Sequence, residues 1–201
     1  MKLTLDLEPE DDPFSDLTLI LFHTTAPNYT FVDDLNHLYR LGLSRQNDFL
    51  LPQSDLKSTT SSPSEHQAYP LFSYRDPLRH ITYHLIERPQ QPASTHAPLA
   101  TLWSPLQKLL FIQGEGSEQV AERIMSEFTL LPPTPPADDL AAIARHNILE
   151  AFHSAFTPVT LLDPSASLPP DASRKAQRQH TELQQLVTFI LQYFELHQPT
   201  L

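Results

Sequence analysis

One stretch limits the possible folds of this chain more than any other. It is residues 106–128, LQKLLFIQGEGSEQVAERIMSEF. Residues 109–112, LLFI, form an unbroken apolar run. Because successive side chains of a strand point to opposite faces, such a run places apolar groups on both faces. The pattern therefore predicts a central strand at 109–112 that is covered from two sides.

The second half of this stretch predicts a glycine turn followed by an amphipathic helix. Gly114 and Gly116 permit backbone angles that other residues resist. Ser117 is a suitable N-cap, because its hydroxyl can accept a hydrogen bond from a free backbone N–H. One apolar stripe follows at helical spacing: Val120, Ala121, Ile124, Met125 and Phe128. We expect the helix over 117–128 to fold back onto the strand.

The remaining patterns predict an α+β fold, with a mainly antiparallel sheet of about five strands packed with helices and a two-helix C-terminal extension. A helix is expected over residues 29–41, with Gly42 as its C-terminal glycine. Loops or connectors are expected at 52–69 and 157–170, because these segments are rich in proline, in serine and in other residues that are polar. Strands are expected at residues 2–7, 17–22, 49–51, 71–74 and 79–87.

Proline density divides the chain into an α+β domain over residues 1–131, a linker over 132–136 and a helical extension over 137–201. Helices are predicted at 138–156 and 172–197 within the extension. Leu140, Ile148 and Phe152 belong to the apolar stripe of the first of these helices. Since two helices cannot bury their stripes alone, they must pack on the domain or on a partner.

Composition excludes several classes of function. The chain has 201 residues and a net charge of −11, which disfavours binding to nucleic acid or to anionic membranes. It has no cysteine, so a thiolate nucleophile and a cysteine-ligated metal are both excluded. No segment approaches the ~20 apolar residues of a membrane span. We expect a cytoplasmic protein.

No motif in the sequence predicts catalysis, a cofactor or a metal site. Ten histidines invite a metal-binding interpretation, but only His80 and His84 form a local pair. On a strand these two side chains would lie ~13 Å apart at ~3.3 Å per residue, too far to bind one ion. Paired carboxylates such as Asp33 and Asp34 lie in polar contexts typical of solvated charge.

A basic cluster on the predicted hairpin is the candidate docking spot for a protein partner. Its residues are Arg75, Arg79, His80, His84 and Arg88. A solvated hairpin face would also explain the cluster. In an acidic chain, however, a local group of cations can attract an acidic partner.

Three phrases resemble a small family of uncharacterised bacterial proteins that is named for the motif Ile-Pro-Glu-x-x-x-Val-Asp-Tyr. They are YTFVDDLNHLYRLGLSRQNDF at 29–49, YRDPLRHITYHLIER at 74–88 and LQKLLFIQG at 106–114. The resemblance covers residues 1–130 and leaves out the helical extension. The naming motif itself is absent. By position it would fall on residues 100–102 and 106–108, and none of these residues matches it. The family implies no known activity.

Two hypotheses on function follow from these patterns. The first is a non-enzymatic interaction or adaptor module, whose C-terminal helices bind a protein partner or a second copy of the chain. The second is an enzyme or small-ligand-binding protein with a pocket between sheet and helices. A deep cavity lined by polar groups would favour the second hypothesis.

Overall fold

A computed structural model describes residues 16–24, 26–52, 66–87, 107–154, 159–162, 169 and 171–197. The predicted strand at 2–7 and Arg88 lie outside these residues. The elements in chain order are β1 (Leu17–His23), α1 (Asn28–Tyr39), β2 (Ser44–Arg45), β3 (Phe49–Pro52), β4 (His66–Tyr69), β5 (Leu71–Asp76), β6 (Ile81–Glu87), β7 (Gln107–Gln113), α2 (Ser117–Thr129), α3 (Leu140–Ser154), β8 (Val159–Leu162) and α4 (Arg174–His197).

The main sheet has the strand order β2-β5-β6-β7-β1-β8, and every neighbouring pair is antiparallel. The strand β2 contributes only two residues, so five longer strands make up the body of the sheet. A separate two-stranded sheet is formed by β3 and β4. The predicted α+β class, with a mainly antiparallel sheet of about five strands and two C-terminal helices, is confirmed.

The strand β7 lies in the middle of this sheet, with β6 on one side and β1 on the other. Leu110 and Ile112 belong to the apolar core on one face, while Leu109 and Phe111 belong to the core on the other. All four side chains are at most 2% exposed. The alternation of a strand thus divides one apolar run between two cores.

The first core lies between the sheet and the helices α1, α2 and α3. Phe152 of α3 packs against Phe31 of α1 and Phe128 of α2, with ring centroids 5.5 and 5.0 Å apart. Phe22 of β1 contacts the rings of Phe31 and Phe128 edge-on, at 5.1 Å in both cases. Edge-to-face pairs at these distances stabilise a core beyond the area that they bury.

The second core lies on the opposite face and is covered by α4 together with the β3–β4 sheet. Val187 and Ile190 of α4 are fully buried there beside Leu109 and Phe111. Tyr193 of α4 meets Phe49 of β3 edge-on, at a centroid distance of 4.9 Å. Both C-terminal helices therefore pack on the sheet of their own chain.

Several local predictions were wrong. The α1 helix ends in a left-handed Arg40 (φ 54°) instead of at Gly42, which lies against the ring of Tyr74. Ser117 does not cap α2, because Gly116 occupies the cap position and the Ser117 hydroxyl lies 3.1 Å from that of Thr18. The predicted loops at 52–69 and 157–170 contain the strands β4 and β8.

We expect Gly114→Ala to lower the free energy of unfolding by about 1–3 kcal/mol, as forced backbone conformations typically do. Gly114 has a φ of +126°, and a Cβ at this position would lie 2.7 Å from the carbonyl oxygen of His80. Gly116→Ala is the matched control, since Gly116 also has a positive φ but approaches only the flexible side chain of Gln119. Urea denaturation would measure the stability of both variants. An equal loss of stability in the two would contradict the expectation.

Candidate partner-binding site

The residues of the predicted docking spot separate in the structure. Arg75 is exposed on β5, and Arg79 and His80 are exposed in the turn at 77–80 between β5 and β6. These three side chains remain together at one end of the hairpin. His84 lies elsewhere, and Arg88 lies outside the described residues.

His84 is buried and does not belong to an exposed basic surface. Its Nδ1 lies 2.8 Å from the hydroxyl of Ser73, the residue opposite it on β5. Burial lowers the pKa of His84 to about 3, so its ring is neutral at pH 7. The sequence placed His84 on the outer face of the hairpin, but α4 and the β3–β4 sheet cover that face of the main sheet.

A groove of about 410 Å³ lies on the helical side of the molecule, between the end of α2, the proline linker and the start of α3. Its volume falls in the range of ligand-binding clefts, roughly 300–1,000 Å³. Its walls are mainly apolar, and its polar atoms come from four side chains. The lining residues are Ser126, Glu127, Leu130, Pro132, Pro133, Pro135, Ala142, Arg145 and His146.

The polar side of the groove is held by Arg145 of α3. Its Nη2 donates to Oε2 of Glu127 at 2.5 Å, and its Nη1 donates to the carbonyl oxygen of Leu38. The same guanidinium lies over the ring of Tyr39, 5.5 Å from the centroid. Burial, together with the negative charge of Glu127, raises the pKa of Tyr39. One arginine thus ties α3 to both α1 and α2.

His146 supplies a polar atom that the described protein groups leave unsatisfied. Its Nδ1 is buried and has no hydrogen-bonding partner among the described residues. Burying such an atom without a partner is unfavourable.

Leu130 lines the groove, and two further exposed leucines, Leu131 and Leu140, lie close in sequence to lining residues. Leu130 at the end of α2 is 73% exposed, Leu131 beside it is 39% exposed, and Leu140 at the start of α3 is 78% exposed. Leu140 belongs to the apolar stripe that the sequence predicts for its helix. In the structure Leu149 is fully buried instead, and Leu140 faces solvent. An exposed leucine in the wall of an apolar groove fits an interaction surface.

A buried ion pair lies at the end of the sheet near the start of α1. Lys108 of β7 donates to Oε1 of Glu87 on β6 at 2.7 Å, and also to Oδ1 of Asn28 at 2.8 Å. The ammonium lies 5.3 Å from the centroid of the Phe31 ring. Burial raises the pKa of Glu87, and the hydrogen bond from Lys108 opposes that rise. The pair connects two strands to α1.

Comparison with known proteins gave no match to a family model, a curated protein or a solved structure. The resemblance to the bacterial family therefore stays a prediction. In the described part of the chain, no group of three or more histidine and acidic side chains is placed to hold a metal ion. None of the described helices is both long and apolar enough to cross a lipid bilayer.

Proposed function

We propose that this chain is a non-enzymatic protein-interaction module and that the groove between α2 and α3 binds an extended segment of a partner protein. The observation that carries the proposal is a groove of about 410 Å³ whose lining includes Leu130, which is 73% exposed, and three prolines. An apolar side chain of the partner would lie against Leu130 and the prolines.

The geometry of the groove supports a protein segment over a deeply enclosed small molecule. The groove is open to solvent, and three of its lining residues are prolines of the linker at 132–136, which has no regular secondary structure. The ion pair between Arg145 and Glu127 holds α2 and α3 together without a partner. The surface is therefore pre-organised, which lowers the entropy lost on binding.

The alternative function, an enzyme or small-ligand-binding protein with a pocket between sheet and helices, stays a prediction. Between the described sheet and α1, the side chains of Phe22, Phe31 and Leu35 are fully buried. The groove described above lies between two helices and the linker instead. A cytoplasmic location is likewise proposed on the cysteine-free composition alone.

Photo-crosslinking tests the proposed function. A photoreactive amino acid at position 142, which lines the groove, is expected to capture a distinct protein from lysate of the source organism. The same group at position 118, exposed in the first turn of α2, is the matched control. A crosslinked product of twice the mass of the chain would instead identify self-association.

The double variant Leu130→Asp with Leu140→Asp should remove the position-142 crosslink, because it places charges where apolar contacts form. Leu78→Asp, which changes a leucine on the hairpin that is 90% exposed, should leave that crosslink unchanged. Equal crosslinking at positions 142 and 118, or a product that survives the double variant, would refute binding at the groove.

A further inference from the structure

The segment that joins α2 to α3 has the composition of a polyproline II helix. Its residues 131–136, LPPTPP, have no regular secondary structure, and four of the six are prolines. Proline fixes its own φ at about −65° and pushes the residue before it toward extended backbone angles. Each of the six residues is either a proline or the residue that precedes one. The sequence therefore favours the polyproline II conformation over the whole segment.

Burial along this segment repeats every three residues. Pro132 and Pro135 line the α2–α3 groove and are half-buried. The four other residues are exposed, and one of them, Pro133, also borders the groove. A polyproline II helix has three residues per turn, so residues three apart lie on the same edge. One edge of the segment, at 132 and 135, thus lies against the protein, while the edges at 131 and 134 and at 133 and 136 face solvent.

Both ends of the segment are held by the flanking helices. The backbone N–H of Leu130 donates to the carbonyl oxygen of Ser126 at 2.9 Å, at the end of α2. The backbone N–H of Asp139 donates to the carbonyl oxygen of Pro136 at 3.2 Å. Oδ1 of Asp139 also accepts a hydrogen bond of 2.9 Å from the backbone N–H of Ala142 in the first turn of α3. A segment held in this way loses little conformational entropy when a partner binds it.

The backbone of the segment offers hydrogen-bond acceptors that the protein does not use. In the described part of the chain, no donor bonds to the carbonyl oxygens of residues 131–135. A groove lined by aromatic side chains fits such a segment, because its rings pack on proline rings and a tryptophan N–H or tyrosine O–H can donate to the free carbonyl groups. Such a groove can receive the two solvent-facing edges while the third edge stays against the protein.

Two acidic residues at the C-terminal end of the segment indicate the charge beside that groove. Asp138 and Asp139 are exposed directly after the prolines. Neither carboxylate forms an ion pair with another described residue. A groove with lysine or arginine at the matching end is therefore complementary to the segment, and one with carboxylates there is disfavoured.

We propose that residues 131–136 are themselves a ligand, bound by a partner protein that has an aromatic-lined, proline-binding groove with basic side chains at one end. Pro133 and Pro136 enter that groove along one edge of the segment, and Leu131 and Thr134 along the other. The proposal does not rest on the proposed function, in which the partner supplies the segment and this chain supplies the groove.

An NMR titration with the full chain tests this proposal. The probes are isotope-labelled SH3 and WW domains, chosen with lysine or arginine beside their aromatic, proline-binding grooves. We expect saturable shifts in the aromatic groove of at least one domain. Pro133→Ala with Pro136→Ala should raise the Kd about tenfold, because both rings leave the exposed edge. Pro27→Ala changes an exposed proline outside the segment and should leave the Kd unchanged.

Two further variants separate this site from the α2–α3 groove and test the charge. Ala142→Glu alters the groove but not the segment, so it should leave the Kd unchanged, and a loss of binding would contradict the proposal. Asp138→Asn with Asp139→Asn removes both charges and keeps a side chain that can cap α3. This variant should bind more weakly, and by a smaller factor as salt is added, since exposed charges are screened.

Thermal unfolding of each variant would show that the fold is kept, since the replaced proline and aspartate side chains are exposed. Equal Kd values for the wild type and the Asp138 and Asp139 variant would refute the basic end of the partner groove. Absence of saturable binding to every domain, or binding that is insensitive to the loss of Pro133 and Pro136, would overturn the proposal and show that the segment is a spacer only.

Discussion

Replacing Lys108 with methionine is expected to lower the free energy of unfolding by about 3–5 kcal/mol, the range found when one partner of a buried ion pair is removed. The ammonium of Lys108 and the carboxylate of Glu87 are both buried, and Oε2 of Glu87 has no hydrogen-bonding partner among the described residues. Without Lys108 the carboxylate loses its cation, while Asn28 loses a donor. Chemical denaturation at pH 7 would measure the loss.

Two comparisons make this prediction specific to the buried pair. Lys108→Met with Glu87→Leu should recover most of the lost stability, because a buried pair replaced by apolar groups is often nearly neutral. Arg123→Met removes one partner of an exposed pair with Glu127 and should lower stability by about 1 kcal/mol or less. If Lys108→Met costs no more than Arg123→Met, the ion pair does not stabilise this end of the sheet.

The pH dependence of the Lys108→Met effect has a defined sign. The pKa of Glu87 is already raised in the folded chain by burial, and loss of Lys108 should raise it further. A raised carboxyl pKa means that stability is retained below the unfolded-state pKa and is lost as pH rises through the folded-state pKa. The difference between wild type and variant should therefore be smaller at pH 4 than at pH 7.

The second large effect is a loss of stability on acidification that depends on His84. Its pKa is about 3 in the folded chain and near 6.5 when unfolded, so the unfolded chain binds one more proton between these values. The stability contribution is complete above pH 6.5 and falls as pH drops toward 3. Between these two pKa values, His84 lowers the free energy of unfolding by about 1.4 kcal/mol for each pH unit of acidification, which is the free energy of one pKa unit.

Urea denaturation from pH 7 to pH 4 in wild type and in His84→Gln would measure that slope. Glutamine cannot titrate and keeps a polar group beside the hydroxyl of Ser73. The wild-type curve should fall more steeply than the variant curve over this range. His80→Asn serves as the control for loss of an exposed histidine, since asparagine tolerates the positive φ at that position. Parallel curves for wild type and His84→Gln would show that His84 is not buried in its neutral form.

The elements that the sequence predicted well are those whose pattern is local. The apolar run at 109–112 places side chains on two faces whatever surrounds it, and β7 is indeed buried on both. The paired strands around residues 77–80 follow from alternation and from the Asp-Pro turn signal. The α2 stripe, with Ala121, Ile124 and Phe128 buried, follows from helical spacing in the same way.

The features that the sequence missed depend on contacts between distant segments. Whether His84 is exposed to solvent or buried depends on α4, which covers the face of the main sheet on which His84 lies. This helix is about a hundred residues away along the chain. The strand β8 is a short apolar stretch in a proline-containing region, and its strand conformation comes from pairing with β1. Propensity is a weak guide where such pairing decides the structure.

The groove was missed for a related reason. Of the predicted α3 stripe, Phe152 meets the core as expected, whereas Leu140 is exposed and Leu149, outside the stripe, is buried. Arg145 of α3 also forms an ion pair with Glu127 of α2, a contact between helices that helical spacing does not predict. Helical spacing finds a stripe, but it does not decide which of two overlapping stripes is buried. The linker prolines line the groove, and no local sequence pattern predicts that they do so.

The position of β1 has a consequence for how the chain is made. Both of its neighbours in the sheet come from much later in the chain, since β7 starts at Gln107 and β8 at Val159. During synthesis, the LTLILF segment leaves the ribosome long before either neighbour exists. An unpaired apolar strand can associate with other nascent chains. Since β7 is the first of the two neighbours to be made, β1 has no sheet partner until about half of the polypeptide has been translated.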